Sequence, residues 1–452
     1  MESEPEHGEP LQVTTGEMAY GPHAVARHDG KVLFVRGAAP HEALEVVVRE
    51  SHERFAFAEV TRVLHASPLR RQPPCPLLPR CGGCPWQHLE YAAQLAAKQS
   101  IVREQLRRLA GLDVEVAPVL PSPREYGYRR RIKLRVDHGV VGFHAAASHT
   151  LVEVAHCLLA EPQVDAAIPS AVALAAALPG IRRIELSGGG AGGRVVAAGE
   201  VEGALRDADA ARAQAWLAAH PGIAGLALRG RGWARAWGDV EVAADPEDGT
   251  ALRVRAPGFT QVNTDANRLL VDAVIRAVAP RPQLRVLDLY AGAGNLSLPL
   301  RRRGALVTAV EQESRAAADA RDNAARTPGP RLTVLTEPAE HAVARLAAAG
   351  ERFDVVLLDP PRAGAAACLA GLLRLRAPRL VYVSCDPATL ARDLKRLRAA
   401  YRIAHVQPID LFPHTYHVET VVQATLSCDP PPPGVSSAPR HESTAPPRRR
   451  RS

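Results

Sequence analysis

Lysine is nearly missing from this chain. Only four of its 56 Lys and Arg residues are Lys. The positive charge, eight in excess of the negative, is therefore carried by guanidinium. Arginine grips phosphate through two donors at once and stacks on bases, so an Arg-heavy surface suits RNA. The same enrichment also follows from genome composition, so charge alone does not decide a partner. A long apolar run is missing too: no stretch reaches the roughly 20 apolar residues of a spanning helix. The most apolar segment, 166–178, is Ala-rich, short and interrupted by Pro169. With no secretory leader pattern either, a cytoplasmic protein with no membrane partner is expected. Cysteine is sparse and odd in number, seven in all, which does not make a disulfide framework. In a reducing compartment such cysteines point to metal or catalysis.

What is present is organised around 285–295, RVLDLYAGAGN. The apolar run of 285–289 reads as a strand buried on both faces, running into a glycine turn that opens a helix near Leu296. Gly292 and Gly294 let the backbone turn sharply and approach a ligand. A strand, a GxG turn and a helix form the entry to a doubly wound nucleotide-binding sheet. Asp288 at the strand end would repel a pyrophosphate but suits the cationic methionine end of S-adenosylmethionine. A second strand, 306–310, ends in Glu311, about 20 residues after the turn, where an acid accepts both ribose hydroxyls of an adenosine. Strands and helices alternate from here to about residue 400, which predicts a mainly parallel sheet. The last stretch reads as two strands joined by a long loop.

The 452 residues predict two to three domains. Short alternating strands over 11–64, with Asp29-Gly30 as a hairpin turn, predict a small barrel of the oligonucleotide-binding type. Its strands mix Arg27, Lys31, Arg36, Arg49, Arg54 and Arg62 with Phe34, Phe55 and Phe57, a pattern that suits single-stranded RNA. Then comes CPLLPRCGGCPWQH, in which Cys75, Cys81 and Cys84 are spaced C-x5-C-x2-C. Cys157 is the candidate fourth ligand, and four thiolates hold either zinc or an iron–sulfur cluster. An amphipathic helix is expected from Leu89 to about Leu109, ended by Gly111. The run Arg129, Arg130, Arg131, Lys133 and Arg135 in a β-rich segment reads as an RNA-facing sheet edge, or a solvated one.

The reactive chemistry lies late in the chain. Asp359-Pro360-Pro361-Arg362 follows a strand and makes a rigid edge over a cofactor's methyl group. Enzymes that methylate exocyclic amines usually place an aromatic where Arg362 stands, which argues against that chemistry. Cys385 follows VYVS at the carboxyl end of the next strand, where ligands bind in open parallel sheets. A thiol beside the following helix N-terminus can have a lowered pKa and act as a nucleophile. Thiolate addition to carbon 6 of uracil makes carbon 5 reactive, and Glu419 is the candidate base that later removes the carbon-5 proton. Cys368 and Cys428 lie in no such setting and read as structural.

In order, GFTQVN, DLYAGAGNLSLPL, AVEQES, LLDPPRAG, YVSCDPATLARDL and IDLFPHTYHVE resemble the motifs of the S-adenosylmethionine-dependent RNA uridine-5-methyltransferase family, over roughly residues 11–425. The segment before CPLLPR resembles its TRAM domain, and the Cys motif with HCLLA resembles its [4Fe–4S] site. The resemblance implies S-adenosylmethionine contacts at Gln261, Tyr290, Asn295, Glu311 and Asp359. It makes Cys385 the nucleophile and Glu419 the base, with the cluster on Cys75, Cys81, Cys84 and Cys157. Asp386 stands where many members have Asn, and TEPAEH at 336–341 replaces an Asn-containing turn, so no contact is assigned there. The implied fold is an α/β class I (Rossmann-like) methyltransferase domain, 258–428. Before it come a disordered 1–10, a TRAM barrel at 11–67, and a central α+β RNA-binding domain at 68–257 with the cluster. A disordered Pro/Arg-rich tail spans 429–452. The implied partner is RNA, 23S ribosomal RNA ahead of tRNA, and a monomer is expected. A non-catalytic RNA-binding iron–sulfur protein is the reading from another class; intact Cys385 and Glu419 argue against it.

Overall fold

The computed structural model describes residues 9–78, 80–244 and 252–427. The segments expected to be disordered, 1–10 and 429–452, lie outside these apart from residues 9 and 10, as does Cys428. Five strands close into a barrel: β1 (Leu11–Met18), β2 (His23–His28), β3 (Lys31–Arg36), β4 (Ala43–Ser51) and β5 (Phe55–His65), in the order β1-β2-β3-β5-β4. Alternation drives it: Leu33 and Val35 point inward while Phe34 and Arg36 are half-exposed. Asp29 and Gly30, at φ 46° and 79°, form the expected two-residue turn between β2 and β3. Outside the barrel, Phe34, Phe55 and Phe57 gather with His23 and His52 into one aromatic patch, the Phe34 and Phe57 rings 5.6 Å apart.

After the Cys-bearing loop, α1 (Tyr91–Gln105) runs into a wide π-turn, Leu106–Ala110, and stops at left-handed Gly111. A seven-stranded sheet follows, with β6 (Arg131–Asp137), β7 (Val140–His144), β8 (Leu151–Glu153), β9 (Ile181–Ser187), β10 (Val195–Val201), β11 (Ile223–Gly230) and β12 (Trp233–Gly238) in the order β12-β11-β10-β9-β6-β7-β8. α2 (Pro162–Asp165), α3 (Ile168–Ala177) and α4 (Asp207–Ala219) pack on one face, around Leu174, Ile184 and Trp216. A two-stranded ribbon, β13 (Glu241–Ala244) with β14 (Leu252–Arg255), leads out of it.

Here the structure corrects one expectation. Arg129, Arg130 and Arg131 are not at a sheet edge. β6 is flanked by β9 and β7, and Arg130 and Arg131 are buried. Arg130 donates to the carbonyls of Gly188 (2.7 Å) and Ala243 (2.5 Å), and Arg131 to that of Gly258 (3.0 Å). Sequence alternation marks a strand but not its neighbours; here backbone carbonyls take the terminal guanidinium donors, while Arg130 Nε is buried without a partner.

The second large sheet is made of β15 (Arg285–Leu289), β16 (Leu306–Val310), β17 (Thr333–Leu335), β18 (Val355–Leu358), β19 (Arg379–Ser384), β20 (Tyr401–Ile409) and β21 (Glu419–Leu426). Its order is β17-β16-β15-β18-β19-β21-β20. The first five are parallel, linked by α6 (Ser297–Arg302), α7 (Ser314–Arg326), α8 (Ala339–Ala348) and α9 (Leu369–Leu375); α5 (Thr264–Val278) precedes them and α10 (Pro387–Leu397) leads from β19 to β20. All four residues of β18 are buried, as a strand covered on both faces requires. β21 reverses and pairs antiparallel with β19 on one side and β20 on the other. Among the described residues no helix is long and apolar enough to cross a membrane.

α1 turns a partly polar face inward, which its amphipathic reading did not anticipate. Gln94 and Lys98 are wholly buried. Lys98 Nζ donates to Asp410 Oδ1 (2.6 Å) and to the carbonyl of Phe412 (3.0 Å), and Gln94 accepts the His414 amide (2.7 Å). α1 thus clamps the loop between β20 and β21. Lys98→Met leaves Asp410 as an unpaired buried charge. We expect it to cost roughly 3 kcal/mol in chemical denaturation, and Lys98→Met with Asp410→Leu to recover most of that loss.

Candidate active site and thiol cluster

The reactive groups stand at the carboxyl ends of β15, β18 and β19, where helices begin and the parallel sheet opens a crevice. Five expected residues, Gln261, Tyr290, Glu311, Asp359 and Cys385, line one cleft of about 1000 Å³ together with Glu419. Glu419 arrives from 34 residues further along the chain because β21 runs against β19. Ser384 pairs with Thr420, so the next positions outward are Cys385 and Glu419.

The GxG turn is built as the sequence implies. Gly292 and Gly294 take φ of 54° and 101°, and a Cβ on Gly294 would lie 3.1 Å from Leu298 Cγ. Tyr290 also has positive φ, 64°, a conformation a bulky side chain seldom adopts. Its ring lines the cleft while its hydroxyl meets Cys368 Sγ at 3.1 Å. Glu311 accepts from the backbone amides of Gly292 (3.0 Å) and Glu313 (2.7 Å), tying β16 to the turn. Asn295 sits in a smaller recess beneath, shared with Asp288, Gln261 and Asp359, and exchanges amide hydrogen bonds with Asn267 at 2.9 and 3.0 Å. Asp288 is buried; Ser297 donates to its Oδ2, and Oδ1 has no partner. Burial, then the charges of Asp359 and Glu311, push its carboxyl up to about 7, although Ser297 opposes them. Such a group is suited to meeting a cation.

The thiol departs from expectation. Burial first, then Glu419 and Asp359, push Cys385 up to about 12, with Arg362 opposing. The helix N-terminus behind it does not overcome three nearby carboxylates. Burial also raises Asp359 and Glu419 above the usual carboxylate range. Phe412 and His417 also line the cleft with no role assigned from the sequence, beside Arg362. Arg362 donates to His417 Nε2 (3.1 Å), so the histidine proton is on Nδ1, which is buried without a partner. Burial and Arg362 lower its pKa to about 3, keeping the ring neutral. The FPHTYHVE run marked this loop, but nothing in it told the ligand-facing His417 from His414, which is buried against Tyr126.

Cys75, Cys81, Cys84 and Cys157 come together as the sequence suggested, around a separate cavity of about 560 Å³. Tight turns shape the loop: the Leu78 amide meets the Cys75 carbonyl, Cys81 that of Leu77, and Gln87 that of Cys84. A Cβ on Gly82 would lie 3.1 Å from Ala146 Cα, so glycine lets the loop lie this close without its neighbour giving way. Burial raises the Cys81 and Cys157 thiols and pushes Cys84 up to about 12, and the neighbouring sulfurs add to this at Cys84. Gln87 Nε2 is buried here with no partner. Among the described residues, no three His, Cys, Asp or Glu converge closely enough to hold one metal ion. All six described cysteines are free thiols.

Comparison with known proteins agrees with this architecture. The family model for tRNA (Uracil-5-)-methyltransferase matches residues 248–426, and the TRAM domain model matches 6–61. A protein of Thiobacillus denitrificans named 23S rRNA (uracil(1939)-C(5))-methyltransferase RlmD is 38% identical over 414 residues, covering 88% of this chain and 96% of its own. The Klebsiella pneumoniae protein of the same name is 35% identical, covering 91% and 95%. The solved Pyrococcus abyssi tRNA (uracil-54, C5)-methyltransferase, in complex with S-adenosyl-L-homocysteine, superposes with a TM-score of 0.70 at 24% identity, over 92% of this chain and all of that one. With relatives this similar along nearly their whole length, and with the fold and motif order to match, the chain belongs to the RNA (uracil-C5)-methyltransferase family, with a TRAM domain at its amino end.

Proposed function

We propose that this enzyme uses S-adenosylmethionine to methylate carbon 5 of one uridine of 23S ribosomal RNA, with Cys385 as nucleophile and Glu419 as base. The observation that carries the reading is the β19–β21 pairing, which sets that thiol and that carboxyl side by side on one cleft. The methyl donor supplies an electrophilic methyl on a cationic sulfonium. Glu311 would accept its ribose hydroxyls and the unpartnered Asp288 oxygen would face its ammonium, with Gln261, Tyr290, Asn295 and Asp359 completing the contacts. Positive charge beside Asp359 offsets the carboxylates that hold Cys385 protonated.

Cys385 gives up its thiol proton to solvent, its Sγ bonds to uracil carbon 6, and the displaced pair moves into the ring as an enolate. Carbon 5 then takes the methyl group, and S-adenosylhomocysteine leaves with the electrons of the broken bond. Glu419 removes the carbon-5 proton, and the re-formed enolate expels the Cys385 thiolate, restoring the double bond. The uridine must leave its stack for carbon 6 to meet the thiol. The outer aromatic patch of the barrel, flanked by Arg36, supports single-stranded RNA as the form bound. We take the division of labour to be a barrel at 11–67, a central RNA-binding unit at 68–257 and a catalytic unit at 258–428. One chain carries every group named, so a monomer suffices, and free thiols suit the cytoplasm. Relatives at 35–38% identity favour ribosomal RNA; the solved tRNA enzyme is less similar.

We assign a structural [4Fe–4S] cluster to Cys75, Cys81, Cys84 and Cys157. The four sulfurs ring a cavity without converging on a point, as thiolates bound to different irons do, and iron charge would offset the cost of burying them. Gln87 Nε2 is a free donor toward such an anionic group.

Three outcomes test these assignments. RNA carrying 5-fluorouridine has no carbon-5 proton to lose, so with S-adenosylmethionine it should stall as a denaturation-resistant adduct. The adduct should be absent in Cys385→Ala, and Glu419→Gln should accumulate one even with ordinary uridine. No adduct with any ribosomal or transfer RNA would sink the mechanism; 5-methyluridine lost only from tRNA in a deletion strain would sink the ribosomal choice. In the free enzyme, Cys385 should react with iodoacetamide more slowly than an ordinary thiol from pH 7 to 9, since a raised pKa leaves less thiolate. Protein purified without oxygen should be brown with about four irons per chain, and Cys84→Ser should lose the colour. A colourless protein with bound zinc would overturn the cluster.

A further inference from the structure

One contact joins the first folded unit directly to the residue after the nucleophile. Tyr20 lies in the turn between β1 and β2, and its hydroxyl donates to Asp386 Oδ2 at 2.8 Å, across 366 residues of sequence. Asp386 divides its oxygens. Oδ1 accepts the amides of Ala388 (3.0 Å) and Thr389 (2.9 Å), capping α10, while Oδ2 takes the Tyr20 proton. On its other side Asp386 is tied to Ser384 Oγ through its own amide (3.2 Å) and carbonyl (3.0 Å). Cys385 stands between these two residues. The Tyr20 ring meets Tyr416 edge-on at 5.7 Å, and Tyr416 lies 4.3 Å from the His417 ring, which also meets Arg362 and the Phe412 ring. The barrel turn is itself held in place, since Trp86 Nε1 donates to the Gly21 carbonyl at 3.1 Å.

We propose that Tyr20 is a positioning residue for the Cys385 turn, so that the barrel completes the catalytic site as well as gripping RNA. The proposal rests on the reading of Cys385 as nucleophile. The helix cap is made by Oδ1 alone, so the fold of the catalytic sheet does not need the Tyr20 bond. The bond acts on where the turn sits and on how much charge it presents. A hydrogen bond to a carboxylate is roughly twice as strong as one between neutral groups, and a nucleophile displaced by a fraction of an ångström loses rate steeply. The bond also dampens the Asp386 charge, one of those that hold the neighbouring thiol protonated. A barrel displaced from the catalytic sheet would leave the turn unlatched. RNA grip and thiol readiness are thereby linked.

Tyr20→Phe keeps the ring on Tyr416 and removes only the hydroxyl. At saturating RNA its single-turnover methyl-transfer rate constant should fall by about tenfold, the order expected for one charge-assisted hydrogen bond, while the RNA Kd stays that of the parent. Alkylation of Cys385, followed by peptide mass spectrometry without RNA or methyl donor, should slow as well. In an Asp386→Ala background, Tyr20→Phe should cost nothing further. A weaker RNA Kd with an unchanged saturated rate would make Tyr20 an RNA contact and overturn the proposal, as would full additivity with Asp386→Ala. Because alkylation requires no uridine chemistry, it reads the Tyr20 contact even if the methyl-transfer mechanism fails.

Discussion

Everything reactive in this protein depends on β21 running antiparallel between β19 and β20. In a sheet of parallel strands, each strand delivers its functional residue at its carboxyl end, and neighbours add residues only along that edge. The reversed strand adds the residue at its beginning. Glu419 therefore stands at the same edge as Cys385 with no loop having to reach across. A rigid ladder, not a mobile segment, sets the distance between thiol and carboxyl.

That arrangement concentrates negative charge. Asp288, Asp359 and Glu419 all sit where burial disfavours their ionised forms, and Cys385 is held protonated beside them. The site is thus built against its own resting charge and in favour of an incoming cation. A raised pKa leaves Cys385 less thiolate at neutral pH than an ordinary thiol.

The loop between β20 and β21 is held by residues from far earlier in the chain. Lys98 of α1 holds Asp410 and the Phe412 carbonyl, the Trp86 amide holds the His414 carbonyl, and Tyr128 holds that of Pro413 at 3.1 Å. The barrel reaches the same region through Tyr20. The Lys98, Trp86 and Tyr128 contacts join residues roughly 300 positions apart and are polar. Buried polar contacts are demanding in geometry, so a loop held by several of them has one position available to it. The cost is that each partner is exposed to the loss of the other.

Local patterning made much of this legible. Alternation and a turn pair marked the barrel, apolar runs ending in acids marked the parallel strands, and GxG, DPPR and SCDP marked the crevice residues because their chemistry is carried by adjacent positions. The Cys spacing marked a shared thiol site. What local patterning could not carry was decided by neighbours distant in sequence. The arginines at 129–131 looked exposed, because a strand's own alternation says nothing about which strands flank it. An amphipathic helix gave no sign that Lys98 and Gln94 would be buried, because the partners that bury them lie more than 300 residues on. Cys385 looked activated by its helix, because the carboxylates that raise its pKa come from two other strands. The sequence by itself determined most of the elements and the candidate residues of the cleft. Only the tertiary structure decided their burial, charge state and pairing, because electrostatics and hydrogen bonding act through space and not along the chain.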